Sequence, residues 1–192
     1  MRSKHRLFWF VGCALFFTTL TQAQAQPGDP VPQVQGWSVG LAADTIERDV
    51  LVGVRAGYWH EHLGVDARLQ FSALAVEETE GSTTLDERVR AIVLLGGKGG
   101  YQVGAAKWFG RLGVGLEVDE QRFEGTNVTK VMGLAELGGG VDFAVSDRLL
   151  LGLTLLNLRA LVGEYSISGE PNLDFAGGQA SILSGGHVSY QF

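Results

Sequence analysis

The sequence of 192 residues has one cysteine, four prolines and fewer basic than acidic residues. A single cysteine allows no intrachain disulfide and excludes a zinc site built on cysteines. Fifteen Lys and Arg against 21 Asp and Glu give a formal net charge of −6, which argues against a nucleic-acid-binding protein. The hydrophobic content of 45% excludes a disordered chain, and the length is typical of one domain.

The first 25 residues have the three parts of a secretory signal peptide. A basic start is followed by a mostly apolar stretch over residues 7–20 and by the cleavage pattern Ala23-Gln24-Ala25. As a helix this stretch would span only about 21 Å, too short for a membrane core of about 30 Å. A lipoprotein signal ending before Cys13 would have too few apolar residues. We therefore predict a signal peptide over residues 1–25 and export through the Sec pathway.

Beyond residue 25 the sequence lacks any apolar run near the eighteen residues of a membrane helix, and it lacks a helical period. Residues 26–35 contain three prolines and are predicted to form an extended periplasmic leader. From residue 36 onward apolar and polar residues alternate, which is typical of β-strands with one apolar face. A change of phase near Asn157 predicts a β-bulge. Eight strands are predicted, at residues 36–44, 50–59, 64–76, 88–103, 108–118, 129–145, 149–162 and 179–192.

The connections between these segments alternate in length. Those after the even-numbered segments are short, and the others are polar and mostly longer, at residues 44–49, 77–87, 119–128 and 163–178. Short periplasmic turns and longer extracellular loops are typical of outer-membrane barrels. We therefore predict an all-β fold over residues 36–192, an eight-stranded antiparallel up-and-down transmembrane β-barrel with both ends of the chain at the periplasmic side.

The polar face of the segments carries more charge than a dry soluble core could hold. In a transmembrane barrel the apolar face meets lipid, and the charged face is enclosed, where opposite charges can pair. A soluble barrel with its apolar face inside is the structural alternative. The predicted interior charge network consists of Arg55, Asp66, Arg68, Arg88, Arg90, Arg111, Glu117, Glu136 and Asp142.

Aromatic residues gather near the proposed periplasmic ends of the segments. Aromatic rings favour the boundary between lipid and water, where outer-membrane barrels carry aromatic girdles. The predicted girdle consists of Tyr58, Tyr101, Trp108 and Phe143, with Tyr190 and Phe192 near the same end.

The chain ends in an alternating segment, His187 to Phe192. This ending resembles the C-terminal assembly signal of Gram-negative outer-membrane barrels, which Val188, Tyr190 and Phe192 would form. With the export signal and the eight segments, the mature chain resembles a small barrel of the outer membrane protein A and outer membrane protein X type. The resemblance implies insertion into the cell outer membrane by the barrel assembly machinery, in contact with lipid and lipopolysaccharide.

These patterns favour a non-enzymatic outer-membrane protein that supports envelope integrity or displays its loops, with no cofactor. A narrow ion or small-solute channel is one alternative, although an eight-stranded barrel is just wide enough for side chains to fill. A lipid A-modifying enzyme is the other, because His187 and Ser189 share a face. However, Tyr190 occupies the position where the His-x-Ser-Asn motif of lipid A deacylases has its Asn.

Metal binding is the last possibility that the sequence raises. The long connections hold most of the acidic residues, and carboxylates can bind Ca²⁺ or Mg²⁺, but their spacing matches no calcium-binding loop. His60 and His62 flank Glu61 in a turn, without a third ligand in view. We therefore predict no metal site and interpret the acidic connections as solvated loops.

Overall fold

The structure, a computed structural model, describes residues 31–46, 49–75, 85–123, 126–167 and 171–192. Residues Gln33–Phe192 form one compact unit, here called the barrel unit. The predicted signal peptide and residues 26–30 of the predicted leader lie outside the described residues. Where the chain is described, it contains no helix long and apolar enough to cross a membrane.

Eight antiparallel strands, each hydrogen-bonded to its neighbours in chain order, close into a barrel. Pairing of the last strand with the first, from Ser38↔Gln191 to Asp44↔Gly185, completes the ring. The predicted fold class, an eight-stranded antiparallel up-and-down barrel, is confirmed. The strands are β1 (Gly36–Ile46), β2 (Asp49–His60), β3 (Leu63–Ala75), β4 (Leu85–Val103), β5 (Ala106–Phe123), β6 (Thr126–Ala144), β7 (Leu149–Ile167) and β8 (Leu173–Gln191).

The two ends of the barrel differ in their connections. One end, here called the short-turn end, carries the turns at 61–62, 104–105 and 145–148 together with Gly36 and Gln191. The other, the hairpin end, carries the connections β1–β2, β3–β4, β5–β6 and β7–β8. Both ends of the barrel segment therefore lie at the short-turn end, because the number of strands is even.

Three of the predicted polar connections, at residues 44–49, 119–128 and 163–178, are mostly strand, which corrects the sequence-based boundaries. β5 continues to Phe123 and β6 begins at Thr126, while β7 continues to Ile167 and β8 begins at Leu173. Our prediction ended each strand where its apolar face ended, but a β-ladder outside a membrane needs no apolar face. A strand of 19 residues extends about 60 Å, whereas about 9–11 residues suffice to cross a bilayer. The wall formed by β4 to β8 is thus taller than the wall formed by β1 to β3.

The register of β7 changes close to the predicted bulge. Leu155 is skipped in the pairing of β7 with β6 and with β8, so that Thr154 and Leu156 flank an irregularity in both ladders. The buried positions of β7 accordingly change phase, from Thr154 before the bulge to Asn157 after it. The predicted bulge is confirmed, two residues before its expected position.

Apolar side chains cover the outside of the barrel, and charged side chains fill its inside. Leu69, Phe71 and Val93 are 37–49% exposed, whereas Arg68 and Arg90 are 4% and 2% exposed. This alternation is the reverse of that in a soluble barrel, and it suits a wall surrounded by lipid. The soluble alternative, which required these apolar residues at the centre, is wrong.

The interior also contains two apolar clusters that the alternating pattern does not predict. The first lies towards the hairpin end and comprises Ile46, Leu51, Ile92, Leu94, Met132, Leu134 and Leu161, with Phe175 packed against it. The second lies at the short-turn end and comprises Val34, Trp59, Phe109, Ala144 and Leu150. Val34 belongs to the predicted leader, so the barrel unit begins three residues before the predicted boundary.

Candidate functional site: the charged interior of the barrel

The centre of the interior is organised around the fully buried carboxylate of Glu136 in β6. Arg111 Nε lies 2.8 Å from Glu136 Oε1, and Arg159 Nε lies 2.9 Å from Oε2. Arg68 also donates to Oε1, and Asn157 Nδ2 donates to Oε2 at 3.1 Å. Three arginines thus share one carboxylate, and they connect β3, β5 and β7 to β6.

Two aspartates extend this cluster towards β1 and β3. Asp44 Oδ2 accepts hydrogen bonds from Arg68 Nη1 at 3.2 Å and from Gln70 Nε2 at 2.9 Å. Asp66 Oδ2 lies 3.5 Å from Arg68 Nε and 3.5 Å from Arg55 Nε. Because Arg55 and Arg68 are directly opposite each other in the β2–β3 ladder, Asp66 supplies the negative charge that such a like-charged pair needs.

Asp142 is the corresponding centre nearer the short-turn end. Its Oδ2 accepts a hydrogen bond from Trp59 Nε1 at 3.1 Å and lies 3.7 Å from Lys98 Nζ and 3.8 Å from Arg55 Nη2. Its Oδ1 lies 3.4 Å from His187 Nε2, and His187 also contacts Arg55. One buried carboxylate is again surrounded by several nitrogen donors.

The hairpin end has the opposite balance, with three carboxylates around two arginines. Arg88 makes two hydrogen bonds to Asp119, at 2.9 and 2.7 Å, and its Nη1 lies 3.1 Å from Asp49. Arg90 lies 3.3 Å from Asp49, 3.3 Å from Glu117 and 3.4 Å from Asp119. The Arg88 side chain is 15% exposed, so water reaches this cluster more easily than it reaches Glu136.

The buried charges of the interior cancel. Among the described residues, the fully buried charged groups comprise seven cations and seven carboxylates. Burying an unpaired charge is costly, and pairing it with an opposite charge removes much of that cost. Equal numbers of buried cations and carboxylates therefore suit a filled, structural interior, in which Lys107 donates to the carbonyl oxygens of Val34 and Glu61 and other buried cations form ion pairs. The set is Arg55, Arg68, Arg90, Lys98, Lys107, Arg111 and Arg159 with Asp44, Asp49, Asp66, Glu117, Asp119, Glu136 and Asp142.

All nine residues of the predicted interior network lie inside the barrel. Eight are fully buried, and Arg88 is half-buried at the hairpin end. The prediction that Asp44, Asp49 and Asp119 lie in solvated acidic loops is wrong, because each is at most 3% exposed and paired with arginine. The alternation of β1 could have identified Asp44 as an interior residue, because Leu41 and Ala43 are on the outer face and Asp44 is therefore on the inner face.

Other interior charges were missed for different reasons. Lys98 has the same phase as Arg88 and Arg90 in the fourth predicted segment, so the alternation there could have identified it. Arg159 follows the bulge, and Lys107 lies in the predicted turn after the fourth segment although it is the second residue of β5. The sequence marks His187 as a face partner of Ser189 but contains no sign of its contact with Arg55, which lies 132 residues away in the chain.

The predicted aromatic residues lie at the short-turn end of the barrel. Tyr101 and Trp108 face each other across the β4–β5 ladder and are 60% and 44% exposed. Trp37, absent from the predicted girdle, contacts Tyr58 with ring centroids 4.9 Å apart. Phe143 lies near the end of β6. The positions agree with an interfacial belt at this end.

The C-terminal residues form part of the seam that closes the ring. Val188 pairs with Leu41 and Tyr190 with Val39, and the side chains of Val188, Tyr190 and Phe192 are all exposed on the outer face. The rings of Tyr190 and Phe192 contact each other with centroids 5.2 Å apart. An alternating apolar stripe therefore runs to the end of the chain.

The other candidate sites do not assemble. Ser189 is 2% exposed inside the barrel, and among the described residues its Oγ has no hydrogen-bond partner. His60 and His62 are exposed at the short-turn end, and His62 Nδ1 lies 3.2 Å from the carbonyl oxygen of Gly100. Within the described ranges no three His, Cys, Asp or Glu side chains are grouped as metal ligands.

Comparison with known proteins rests on structure alone. No protein-family model and no curated protein matches the chain. The chain is similar to the crystal structure of neisserial surface protein A, with a TM-score of 0.51 and 10% identity, over 81% of this chain and 94% of the other. It is also similar to Ail, the attachment invasion locus protein of Yersinia pestis, with a TM-score of 0.50 and 13% identity, over 83% of this chain and 100% of the other. Both are eight-stranded transmembrane barrels.

The chain has the fold of the small eight-stranded outer-membrane barrels. What it shares with these structures is the ring of eight antiparallel strands. The charged interior described above is built from residues of this chain, and its chemistry is that of a network of buried ion pairs.

Proposed function

We propose that the protein is a non-enzymatic outer-membrane protein whose filled barrel contributes to envelope integrity. The observation that carries this proposal is the interior itself, with its balanced buried charges and two apolar clusters. A pathway for ions or solutes needs water along the axis, whereas here Glu136 and Asp142 each hold several cations. The interior is therefore best suited to stabilising the barrel.

The outer surface supports placement in the outer membrane. Its apolar wall suits lipid, and its exposed aromatic residues at the short-turn end suit an interface. We infer that the short-turn end is periplasmic, that the hairpin end contacts lipopolysaccharide, and that Val188, Tyr190 and Phe192 are read by the barrel assembly machinery. Export through the Sec pathway follows from the predicted signal peptide.

The tall wall of β4 to β8 supports a second part of the proposal, a role of the hairpins in surface contacts. The strands on this wall are 18 or 19 residues long, more than a bilayer requires. Glu120, Arg122, Glu164 and Asp174 are exposed on the extensions. Such a rigid ribbon could present charged side chains to lipopolysaccharide or to another surface.

Fractionation and conductance test the proposal together. The folded protein should be recovered with outer membranes, should change its gel mobility on heating, and should give no conductance steps in planar bilayers. Recovery in the aqueous fraction would refute the membrane placement, and regular single-channel steps would support the channel alternative instead.

The enzyme alternative has its own test. Mass spectrometry of lipid A from cells with and without the protein should show no difference, and Ser189→Ala should behave like the unmodified protein. A lost or transferred acyl chain that disappears with Ser189→Ala would establish an enzyme. The buried position of Ser189 is the reason for expecting none.

A further inference from the structure

The mouth of the barrel at the short-turn end is occupied by a segment that belongs to no strand. Val34 lies two residues before β1 and is 0% exposed, although Gln33 and Gln35 on either side of it are exposed. Its side chain packs in the apolar cluster with Trp59, Phe109, Ala144 and Leu150. A single aliphatic side chain therefore fills a pocket formed by β2, β5, β6 and β7.

Side chains of the barrel, not a β-ladder, hold the backbone of this segment. Gln102 Oε1 accepts a hydrogen bond from Val34 N at 3.1 Å, and Lys107 Nζ donates to Val34 O at 3.0 Å. Gln191 Nε2 donates to Gln33 O at 2.9 Å and its Oε1 accepts from Gln35 N at 3.4 Å. Polar side chains that pair with both backbone groups of an extended segment, around one apolar pocket, are a usual way of binding a peptide.

The polar groups of the mouth are themselves held in place. Lys107 Nζ also donates to the carbonyl oxygen of Glu61 and lies 4.2 Å from the centroid of the Trp59 ring. Trp59 in turn donates to Asp142 and contacts Phe109 at a ring distance of 6.3 Å. The lining of the pocket is thus held by contacts within the barrel as well as by its contacts with the segment.

A hinge separates the segment from the first strand. Gly36 has a φ of +87°, in the left-handed region that favours glycine, and a Cβ there would lie 3.0 Å from the carbonyl oxygen of Phe192. The chain changes direction at this residue, between the segment under the mouth and β1. Gly36 is the first residue of the β1–β2 ladder, opposite Trp59, so rotation at this glycine would release the segment while the rest of the ladder stays paired.

We propose that the short-turn mouth is a binding site for an extended peptide with a central aliphatic residue, and that Gln33–Gln35 is its resident ligand. The segment acts as a plug that is held within the same chain and can be exchanged for an equivalent peptide. This goes beyond a filled interior, because the ion pairs around Glu136 and Asp119 involve no residue of the plug.

Thiol accessibility tests the site directly. In a Cys13→Ser background, Ala144→Cys places a thiol in the pocket, where the wild-type alanine is 5% exposed. Deletion of residues 26–34 should increase the rate of labelling by a charged, water-soluble maleimide about tenfold in the detergent-solubilised, folded barrel. Equal labelling with and without these residues would overturn the proposal.

Addition of a synthetic peptide separates a binding site from a structural cap. A peptide with the sequence of residues 31–36 should restore protection to the deleted protein, whereas the same peptide with Val34→Asp should not. Protection by neither peptide, or by both equally, would overturn the proposal, because a specific pocket must distinguish them.

Point variants in the full chain give a second, independent measurement. Combined with Ala144→Cys, Val34→Asp should expose the introduced thiol, while the matched control Val31→Asp should not, because Val31 is 49% exposed. If Val34→Asp prevents folding, as judged by gel mobility, the double variant Gln102→Ala and Gln191→Ala is used instead. It removes hydrogen bonds to the backbone of Gln33–Gln35 without burying a charge. Unchanged labelling of the double variant would contradict the proposal. Thiol labelling and conductance are independent measurements. Single-channel steps in planar bilayers would refute the proposed structural function but would not bear on the peptide-binding site at the short-turn mouth.

Discussion

The centre and the hairpin end of the interior use the same residue types in opposite proportions. At the centre, Glu136 is the shared partner of three arginines, whereas at the hairpin end Arg88 and Arg90 are shared by three carboxylates. The central carboxylate is fully buried, and the Arg88 side chain is 15% exposed. The scarce charge in each cluster should therefore matter most, and its loss should cost more where water is excluded.

The largest effect is expected from Glu136→Gln. The change removes the carboxylate that pairs with Arg111 and Arg159, and breaking a buried ion pair from one side typically costs about 3–5 kcal/mol. The free energy of unfolding in lipid, from urea titration followed by gel mobility, should fall by about that amount. Glu120→Gln, an equal charge change at an exposed site, is the control and should cost little. A similar loss in both variants would contradict the special role of Glu136.

A double-mutant cycle of Glu136→Gln with Arg159→Met tests whether the loss of unfolding free energy comes from a buried arginine left without its carboxylate. Once Glu136 is replaced, removing Arg159 as well should restore part of the stability, because one uncompensated buried cation disappears. The same urea titration on the two single variants and the double variant measures the coupling energy. Additive losses would show that the two side chains act independently.

At the hairpin end the arginine should be the sensitive partner. Arg90→Met leaves Asp49, Glu117 and Asp119 with one arginine fewer among them, and we expect a loss of about 3 kcal/mol in the unfolding free energy. Asp119→Asn should cost less, about 1 kcal/mol, because Asp49 remains beside Arg88 and Glu117 beside Arg90. If Asp119→Asn costs more unfolding free energy than Arg90→Met, the scarce charge is not the sensitive one at the hairpin end, and the contrast with the cluster around Glu136 is wrong.

The smallest effect is the response to salt. Ion pairs near water are screened by salt, and exposed pairs contribute at most about 1 kcal/mol, whereas pairs in a dry interior are screened much less. Raising the salt concentration to about 1 M should therefore reduce the cost of Asp119→Asn and leave the cost of Glu136→Gln unchanged. Parallel urea titrations at two salt concentrations provide the measurement, and equal salt dependence in both variants would argue against a difference in burial.

The alternating pattern was sufficient to predict which way most side chains point. The run from Asp66 to Phe71 has a period of two, and a strand with that pattern places Arg68 on one face and Leu69 on the other whatever its neighbours are. Combined with eight segments, this predicted the barrel and its charged interior. The prediction failed at Asp119, which lies beyond the apolar face of the fifth predicted segment, and it omitted Lys98, which has the same phase as Arg88 and Arg90.

Contacts across the barrel could not be predicted in the same way. Arg68 reaches Glu136 and Arg55 reaches His187 only because the ring closes, and the separations are 68 and 132 residues. Val34 shows the same dependence, since nothing in a proline-rich leader marks one valine as the residue that fills the mouth.

The sequence by itself determined the fold and the face of each strand, because backbone alternation is local and an apolar outer wall follows from it. The tertiary structure alone decided which charges share a partner, which end has an excess of acid and what closes the mouth. The reason is that pairing depends on distance across the closed ring, and the ring brings together side chains that are far apart in the chain.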